Sequence, residues 1–122
     1  MQRVWRTVTV FYHVCARGTG KKLIFEGDED RWEFLELMRD FCREAGVTVI
    51  AWCLMGNHVH LVLADYEDRM SAAMHRLLLT YARRFNKRTG RTGHLFQNRF
   101  DRRSLDTDWQ VMEAIRSVHA DP

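Results

Sequence analysis

A β-hairpin in the middle of the chain decides which folds this sequence can adopt. Residues 47–55 form an almost continuous apolar stretch, and a second apolar stretch covers residues 58–64. Gly56 and Asn57 separate the two, and a Gly-Asn pair between such stretches is typical of a tight hairpin turn. The chain must therefore contain an antiparallel sheet, and its other elements have to fit around it.

Strand and helix signals on both sides of the hairpin predict a small α+β domain. Residues 6–17 alternate and are rich in β-branched and aromatic side chains, which predicts a first strand, and residues 96–105 predict a fourth. Apolar residues at helical spacing predict helices over residues 28–45, over residues 68–87 and after residue 107. The order β-α-β-β-α-β-α predicts a ferredoxin-like antiparallel sheet, like that of RRM domains, with an added C-terminal helix.

The helices have predicted starts and predicted buried faces. Asp28 or Asp30 can cap the first helix, and Asp106 or Thr107 the last. The residues predicted to face the core are Trp32, Phe34, Leu35, Leu37, Met38, Phe41 and Cys42 in the first helix, Met70, Met74, Leu77, Leu78, Tyr81 and Phe85 in the second, and Trp109, Met112, Ile115 and Val118 in the last.

Length and composition predict one domain over residues 1–122 of a cytoplasmic protein. The longest apolar run, residues 47–56, is about half of what a membrane-spanning helix needs, so we expect no membrane partner. The three cysteines contain no CxxC pair, which favours reduced thiols. A zinc site built on Cys53 and the nearby histidines is an alternative.

The last third of the chain is predicted to bind nucleic acid, because its cations far outnumber its acids. Between residues 83 and 103 only Asp101 is acidic, and such a stretch can neutralise phosphates and release their counterions. A solvated face that binds nothing is the alternative. Phe96 and Phe100 could stack on bases or belong to the core. The predicted DNA-binding residues are Arg83, Arg84, Lys87, Arg88, Arg91, Arg99, Arg102 and Arg103.

His58 and His60 form a candidate metal site. Side chains alternate along a strand, so the two imidazoles project to one side, with Cα atoms roughly 6.6 Å apart. Two neutral imidazoles can converge on one divalent ion and leave it Lewis-acidic, with open positions for phosphate oxygens. The alternative is a pair of histidines on a solvent-facing strand edge.

Four ordered stretches resemble the REP-associated tyrosine transposases, a branch of the single-tyrosine HUH transposases. Residues 53–63 read CLMGNHVHLVL, where that family reads close to cLMPNHVHLLL, and Gly56 replaces the usual proline. The other matching stretches are residues 12–25, the pair YARRFN (81–86) and GHLFQNRF (93–100), and IRSVHADP (115–122).

The resemblance implies a metal-dependent enzyme that nicks and joins single-stranded DNA, typically imperfect hairpins. In the family the histidine pair binds magnesium or manganese, and a tyrosine on the last helix attacks the phosphate. The attack leaves a 5′-phosphotyrosine and a free 3′-hydroxyl. Ser117 stands at that tyrosine position. Asp121, one turn later, is the expected third metal ligand, with His119 as the alternative.

Three matters stay open at this stage. Because of Ser117, the chain is either a transposase or a catalytically inactive single-stranded DNA-binding domain. Tyr81, in the basic helix, is the alternative nucleophile. A homodimer and a monomer are both compatible with the resemblance, and the ending at Pro122 suggests C-terminal truncation.

Overall fold

The sheet and helices follow the predicted order. The computed structural model describes residues 10–97 and 99–120. The strands are β1 (Phe11–Arg17), β2 (Val47–Leu54), β3 (His58–Asp65) and β4 (Asp101–Leu105). The helices are α1 (Asp28–Ala45), α2 (Met70–Thr89) and α3 (Asp108–Ala120), and a short 3-10 turn, Thr19–Lys21, follows β1.

The four strands form one antiparallel sheet in the order β2-β3-β1-β4. This is the ferredoxin-like arrangement, and it confirms the predicted α+β class. Helices α1 and α2 pack on one face, and α3 packs against β2, β3 and β4. Among the described strands, β2 and β4 are the edges of the sheet.

Alternation along each strand divides the core in two. The larger part lies under α1 and α2 and is centred on the aromatic ring of Tyr81. The smaller part lies under α3 and joins Ala51, Val62 and Leu105 to Ala114 and Val118. The main strand and helix residues of the larger part are Val14, Val59, Leu61, Leu63, Phe34, Leu37, Met38, Cys42, Met70, Met74, Leu77, Tyr81 and Phe85.

Three exposed side chains correct the predicted buried faces. Trp32 is 66% exposed, Trp109 67% and Met112 57%. On α3 the predicted Val118 is buried and the predicted Ile115 packs beside it, and Ala114 is the buried residue that the prediction missed. Small side chains allow the helix to approach the strands closely. The large side chains at neighbouring helical positions then lie beside the contact and are exposed to solvent. Helical spacing alone does not distinguish these adjacent columns.

The helix starts also differ in part from expectation. The predicted caps Asp28 and Asp30 are wrong, because Gly27 occupies the N-cap and both aspartates lie inside α1. Asp30 is buried, and its carboxylate accepts a hydrogen bond from the Glu26 amide at 2.6 Å. The Thr107 cap is confirmed, since its Oγ1 accepts the amide hydrogen of Gln110 at 3.1 Å.

Helix α2 begins two residues later than predicted, because the buried carboxylate of Asp65 caps it. Asp65 accepts hydrogen bonds from the amides of Arg69 and Met70, both at 2.9 Å. Removing it leaves two amides without this acceptor, one of them buried. We expect Asp65→Ala to lower the free energy of unfolding by about 1–3 kcal/mol, measured by urea denaturation. The exposed Glu67→Ala should change it by less than about 0.5 kcal/mol, and equal losses would contradict the capping role.

Candidate active site

His58 and His60 lie together on the face of the sheet that α3 covers. They alternate with Val59 and Leu61, which belong to the core under α1 and α2. The two imidazole rings have centroids 4.8 Å apart and are nearly perpendicular. Both side chains are partly buried. The shared orientation predicted from strand alternation is therefore present.

Hydrogen bonds fix which nitrogen of each ring faces the protein. His58 Nδ1 lies 2.8 Å from the side-chain oxygen of Asn57, which can only accept, so Nδ1 carries the hydrogen. His60 Nδ1 lies 3.1 Å from Nε2 of His13. In a neutral ring whose Nδ1 donates, Nε2 carries the lone pair that a metal ion can use.

His13 is the residue that sequence reasoning missed at this site. It lies on β1, and its ring centroid is 5.3 Å from that of His60. Burial and then the positive charge of Arg103 hold the pKa of His13 below its usual value. The ring therefore stays neutral near pH 7 and retains one acceptor nitrogen.

A row of potential ligands crosses the sheet at His60. Cys53 pairs with His60 on one side, and Cys15 pairs with it on the other. Cys15 is buried, and burial raises the pKa of its thiol. Over residues 10–97 and 99–120, no three His, Cys, Asp or Glu side chains come together in a way that could hold a metal ion. The zinc alternative built on Cys53 gains no support from these residues.

The histidine pair itself fits two ligands of a divalent ion. Both rings face one side, and the Nδ1 of each has a partner that can accept its hydrogen. The expected third ligand, Asp121, lies outside the described residues. His119, its alternative, is exposed near the end of α3.

Ser117 lies on α3, the helix that covers the histidine face. Its side chain is exposed, while the adjacent Val118 packs into the core under that helix. An exposed position can accept a larger side chain without displacing core residues. Residue 117 is thus on the same side of the sheet as His58 and His60.

Tyr81, the alternative nucleophile, is in the centre of the larger core. Its ring is fully buried and makes edge contact with Phe34, and its hydroxyl donates to the carbonyl oxygen of Ile24 at 2.5 Å. Burial raises the pKa of the hydroxyl far above its usual value. A phosphate cannot reach a hydroxyl placed in this way, which argues against Tyr81 as a nucleophile.

The eight predicted DNA-binding cations fall into two groups. Three of them form ion pairs across the α1–α2 side of the molecule. Arg84 lies 3.5 Å and Arg88 2.9 Å from the carboxylate of Glu33, and Arg91 lies 3.9 Å from that of Glu26. Arg88 also pairs with the buried Asp30. These three cations already have anionic partners.

The other five have no carboxylate within 4.0 Å among the residues that the structure describes. Two of them stand side by side on the edge strand and point to opposite faces. Arg102 lies above the ring of Tyr12 on the α2 side, and Arg103 pairs with His13 on the histidine side. The five are Arg83, Lys87, Arg99, Arg102 and Arg103.

Comparison with known proteins identifies the family of this chain. The family model for IS200-like transposases matches residues 6–117. The chain belongs to the IS200-like transposase family. No curated protein matches it significantly.

Two solved structures share the fold of this IS200-like transposase. A REP-associated tyrosine transposase bound to a REP hairpin has a TM-score of 0.74 at 12% identity, covering 100% of this chain and 73% of that one. A candidate transposase from Deinococcus radiodurans R1 has a TM-score of 0.65 at 19% identity, covering 96% of this chain and 97% of the other. At such identities the likeness concerns the fold.

Within residues 10–97 and 99–120 of this transposase, no helix is long and apolar enough to cross a membrane. The same part of the chain places Phe96 in the core and leaves Phe100 partly buried beside it. Both phenylalanines therefore contribute to packing, and Phe100 also borders a groove next to α2.

Proposed function

We propose that this IS200-like transposase binds single-stranded or hairpin DNA and holds a magnesium or manganese ion between His58 and His60. One observation carries the proposal: the two imidazoles share a sheet face with Arg103, whose guanidinium has no described carboxylate within ion-pair distance. A phosphate near the histidines could thus also meet a cation on β4, which lies beyond β1 on the same face of the sheet. A relative of the same fold is described as bound to a REP hairpin, which supports this choice of partner.

His58 and His60 would present Nε2 to the ion. For His60, this requires Nδ1 to donate its hydrogen to Nε2 of His13, so we assign His13 as the positioning residue that selects this tautomer. Asn57 does the same for His58. When bound, the ion supplies Lewis acidity toward a phosphate oxygen. Asp121 is proposed as a further ligand.

Ser117 bears on strand cleavage and not on DNA binding. Cleavage and strand transfer are the activity implied by the family resemblance, and they need a nucleophile at this position. A serine hydroxyl is shorter than a tyrosine by the phenol ring and far less acidic. We therefore propose a cytoplasmic DNA-binding protein that does not cleave DNA as it stands. The homodimer considered from the sequence stays a prediction.

The two groups of arginines provide the test of DNA binding. Affinity for single-stranded DNA should fall with salt by a slope of roughly 0.7 per phosphate neutralised. Replacing Arg99 and Arg102 together by alanine should flatten that slope by about one to two units. Arg84→Ala is the matched control, because Arg84 already forms an ion pair with Glu33, and it should change the slope less than the double replacement does.

The slope is measured by fluorescence anisotropy of a labelled hairpin with a single-stranded flank, over a series of salt concentrations. Equal slopes for the wild type and all variants would contradict the assignment of these arginines. Affinity that does not depend on salt would leave the cations as a solvated face.

A further inference from the structure

A groove runs between α2 and the segments 93–97 and 99–102, outside the histidine face. Its volume is about 780 Å³, within the range of roughly 300–1,000 Å³ that small-molecule sites occupy. Among the described residues, no aspartate or glutamate lines it. Its apolar surface consists of Leu78, Leu79, Ala82, Leu95, Phe96 and Phe100.

Backbone hydrogen bonds fix the wall of this groove opposite α2. The Thr19 amide donates to the Leu95 carbonyl at 2.9 Å, and the Gln97 amide donates to the Arg17 carbonyl at 2.9 Å. On the helix side, the side-chain amide of Asn86 donates to the carbonyl oxygen of Gly93 at 2.9 Å. The groove is therefore largely preformed, which lowers the entropy that a ligand must offset on binding.

Cations surround this apolar surface. Arg83, Arg99 and Arg102 all line the groove, and none has a described carboxylate within 4.0 Å. Arg102 is held in place, since it donates to Ser71 Oγ at 3.0 Å and lies 5.2 Å from the ring centroid of Tyr12. A ligand that suits this site has a flat apolar part and an anionic part next to it.

An unpaired nucleotide has both parts. We propose that the groove binds one unpaired nucleobase of the DNA, with its flanking phosphates on Arg83, Arg99 and Arg102. The base lies against the apolar surface, a contact open to any of the four bases because each has a π-face. This inference rests on the proposed DNA binding and adds to it a second contact, separate from the histidine site.

The edge strand connects the two contacts. Within the part of the chain that the structure describes, β4 is an edge of the sheet, and Arg102 and Arg103 extend to its opposite faces. A single strand can pass around this edge, with phosphates on Arg102 at the groove and on Arg103 next to His13. A duplex is too stiff to follow that turn over so few nucleotides.

A double-mutant cycle between protein and DNA tests the groove. The DNA is a hairpin whose single-stranded flank carries one abasic site, moved one position at a time. In the wild type, one position should weaken binding about 5- to 100-fold, the range of base stacking on protein side chains. Leu79→Ala should abolish most of that penalty, because the missing base no longer has a contact to lose.

Leu79 is suited to this test because it is 43% exposed, so its truncation spares the core. Phe100→Ala is the second variant, and its fold is checked by circular dichroism. Trp32→Ala, an exposed apolar side chain on α1 outside the groove, is the control and should keep the full abasic penalty.

The outcomes separate the groove from the proposed function. A penalty at one position that disappears in both groove variants supports the inference. Intact DNA binding with no sensitive position, or with a penalty unchanged by both variants, overturns the groove and leaves DNA binding standing. If neither the wild type nor any variant binds the hairpin, the proposed DNA binding itself is contradicted. A short peptide of phenylalanine and glutamate is the competing ligand. If it displaces the DNA from the wild type but not from the groove variants, the groove binds peptides, and the inference is overturned.

Discussion

No covalent adduct is expected when the unmodified chain is incubated with hairpin DNA and manganese. We propose that residue 117 is the position of the family nucleophile, where a serine oxygen would fall short of in-line attack by the length of a phenol ring. Loss of an essential nucleophile costs several orders of magnitude in rate. The adduct is measured by denaturing gel electrophoresis and located by mass spectrometry.

Ser117→Tyr is expected to create the adduct. The tyrosine oxygen would form a bond to phosphorus while the bond from phosphorus to the 3′-oxygen breaks, and the released 3′-oxygen takes up a proton. The gain should be about a hundredfold or more over the unmodified chain. Residue 117 is exposed, so the larger ring displaces no core side chain.

Ser117→Phe is the matched control, because it adds the same ring without a hydroxyl, and it should form no adduct. An adduct in the unmodified chain, located at Tyr12, Tyr66 or Tyr81, would contradict both the role of residue 117 and the proposal that the chain does not cleave DNA. Absence of an adduct in Ser117→Tyr would contradict the placement of residue 117 at the scissile phosphate.

His60→Ala is expected to weaken manganese binding by about a hundredfold or more, because it removes one of two imidazole ligands. His13→Ala should weaken it less, by about 10- to 100-fold, as is usual for a residue that only orients a ligand. Both are measured by calorimetry. His75→Ala, an exposed histidine on α2, is the control and should bind manganese like the wild type.

Equal manganese affinity in the wild type and His60→Ala would contradict metal binding by His60. A loss in His75→Ala as large as that in His60→Ala would show that the ion binds to histidines in general and not at β3.

The sequence was sufficient for the fold because its strongest signals are local. The hairpin over residues 47–64 depends on two apolar stretches and the turn between them, and α2 depends on the spacing of its buried side chains. The shared direction of His58 and His60 also follows from alternation within one strand. None of these inferences requires knowledge of which strands are neighbours.

Other features depend on neighbours in space and could not be predicted. His13 meets His60 only because β1 lies between β3 and β4 in the sheet. Likewise, Arg84 and Arg88 form ion pairs with Glu33 because α1 lies next to α2. In the sequence these arginines look the same as Arg99 and Arg102.

Helix α3 shows a third reason. Apolar residues occupy two adjacent faces of this helix, and helical spacing does not show which face contacts the sheet. Its apolar residues fit two helical columns, and the column with Ala114 allows the closer approach to the sheet. Of the four residues predicted to face the core, Val118 is buried and Ile115 packs beside it, whereas Trp109 and Met112 are exposed. Close packing between a helix and a sheet depends on the shape of the side chains as well as on their apolar area.

Competition between hairpin and duplex DNA tests the central claim most directly. A labelled hairpin with a single-stranded flank is bound to the protein at low salt, and unlabelled duplex of the same base composition is added. In the proposed binding mode the DNA contacts the cations of the groove and of the histidine face on opposite sides of the β4 edge, which an unpaired strand can do and a stiff duplex cannot. We predict that the duplex displaces the hairpin only at a concentration at least about tenfold above that of an unlabelled hairpin competitor. Equal displacement by the two competitors, or no binding of the hairpin at low salt, would contradict this account.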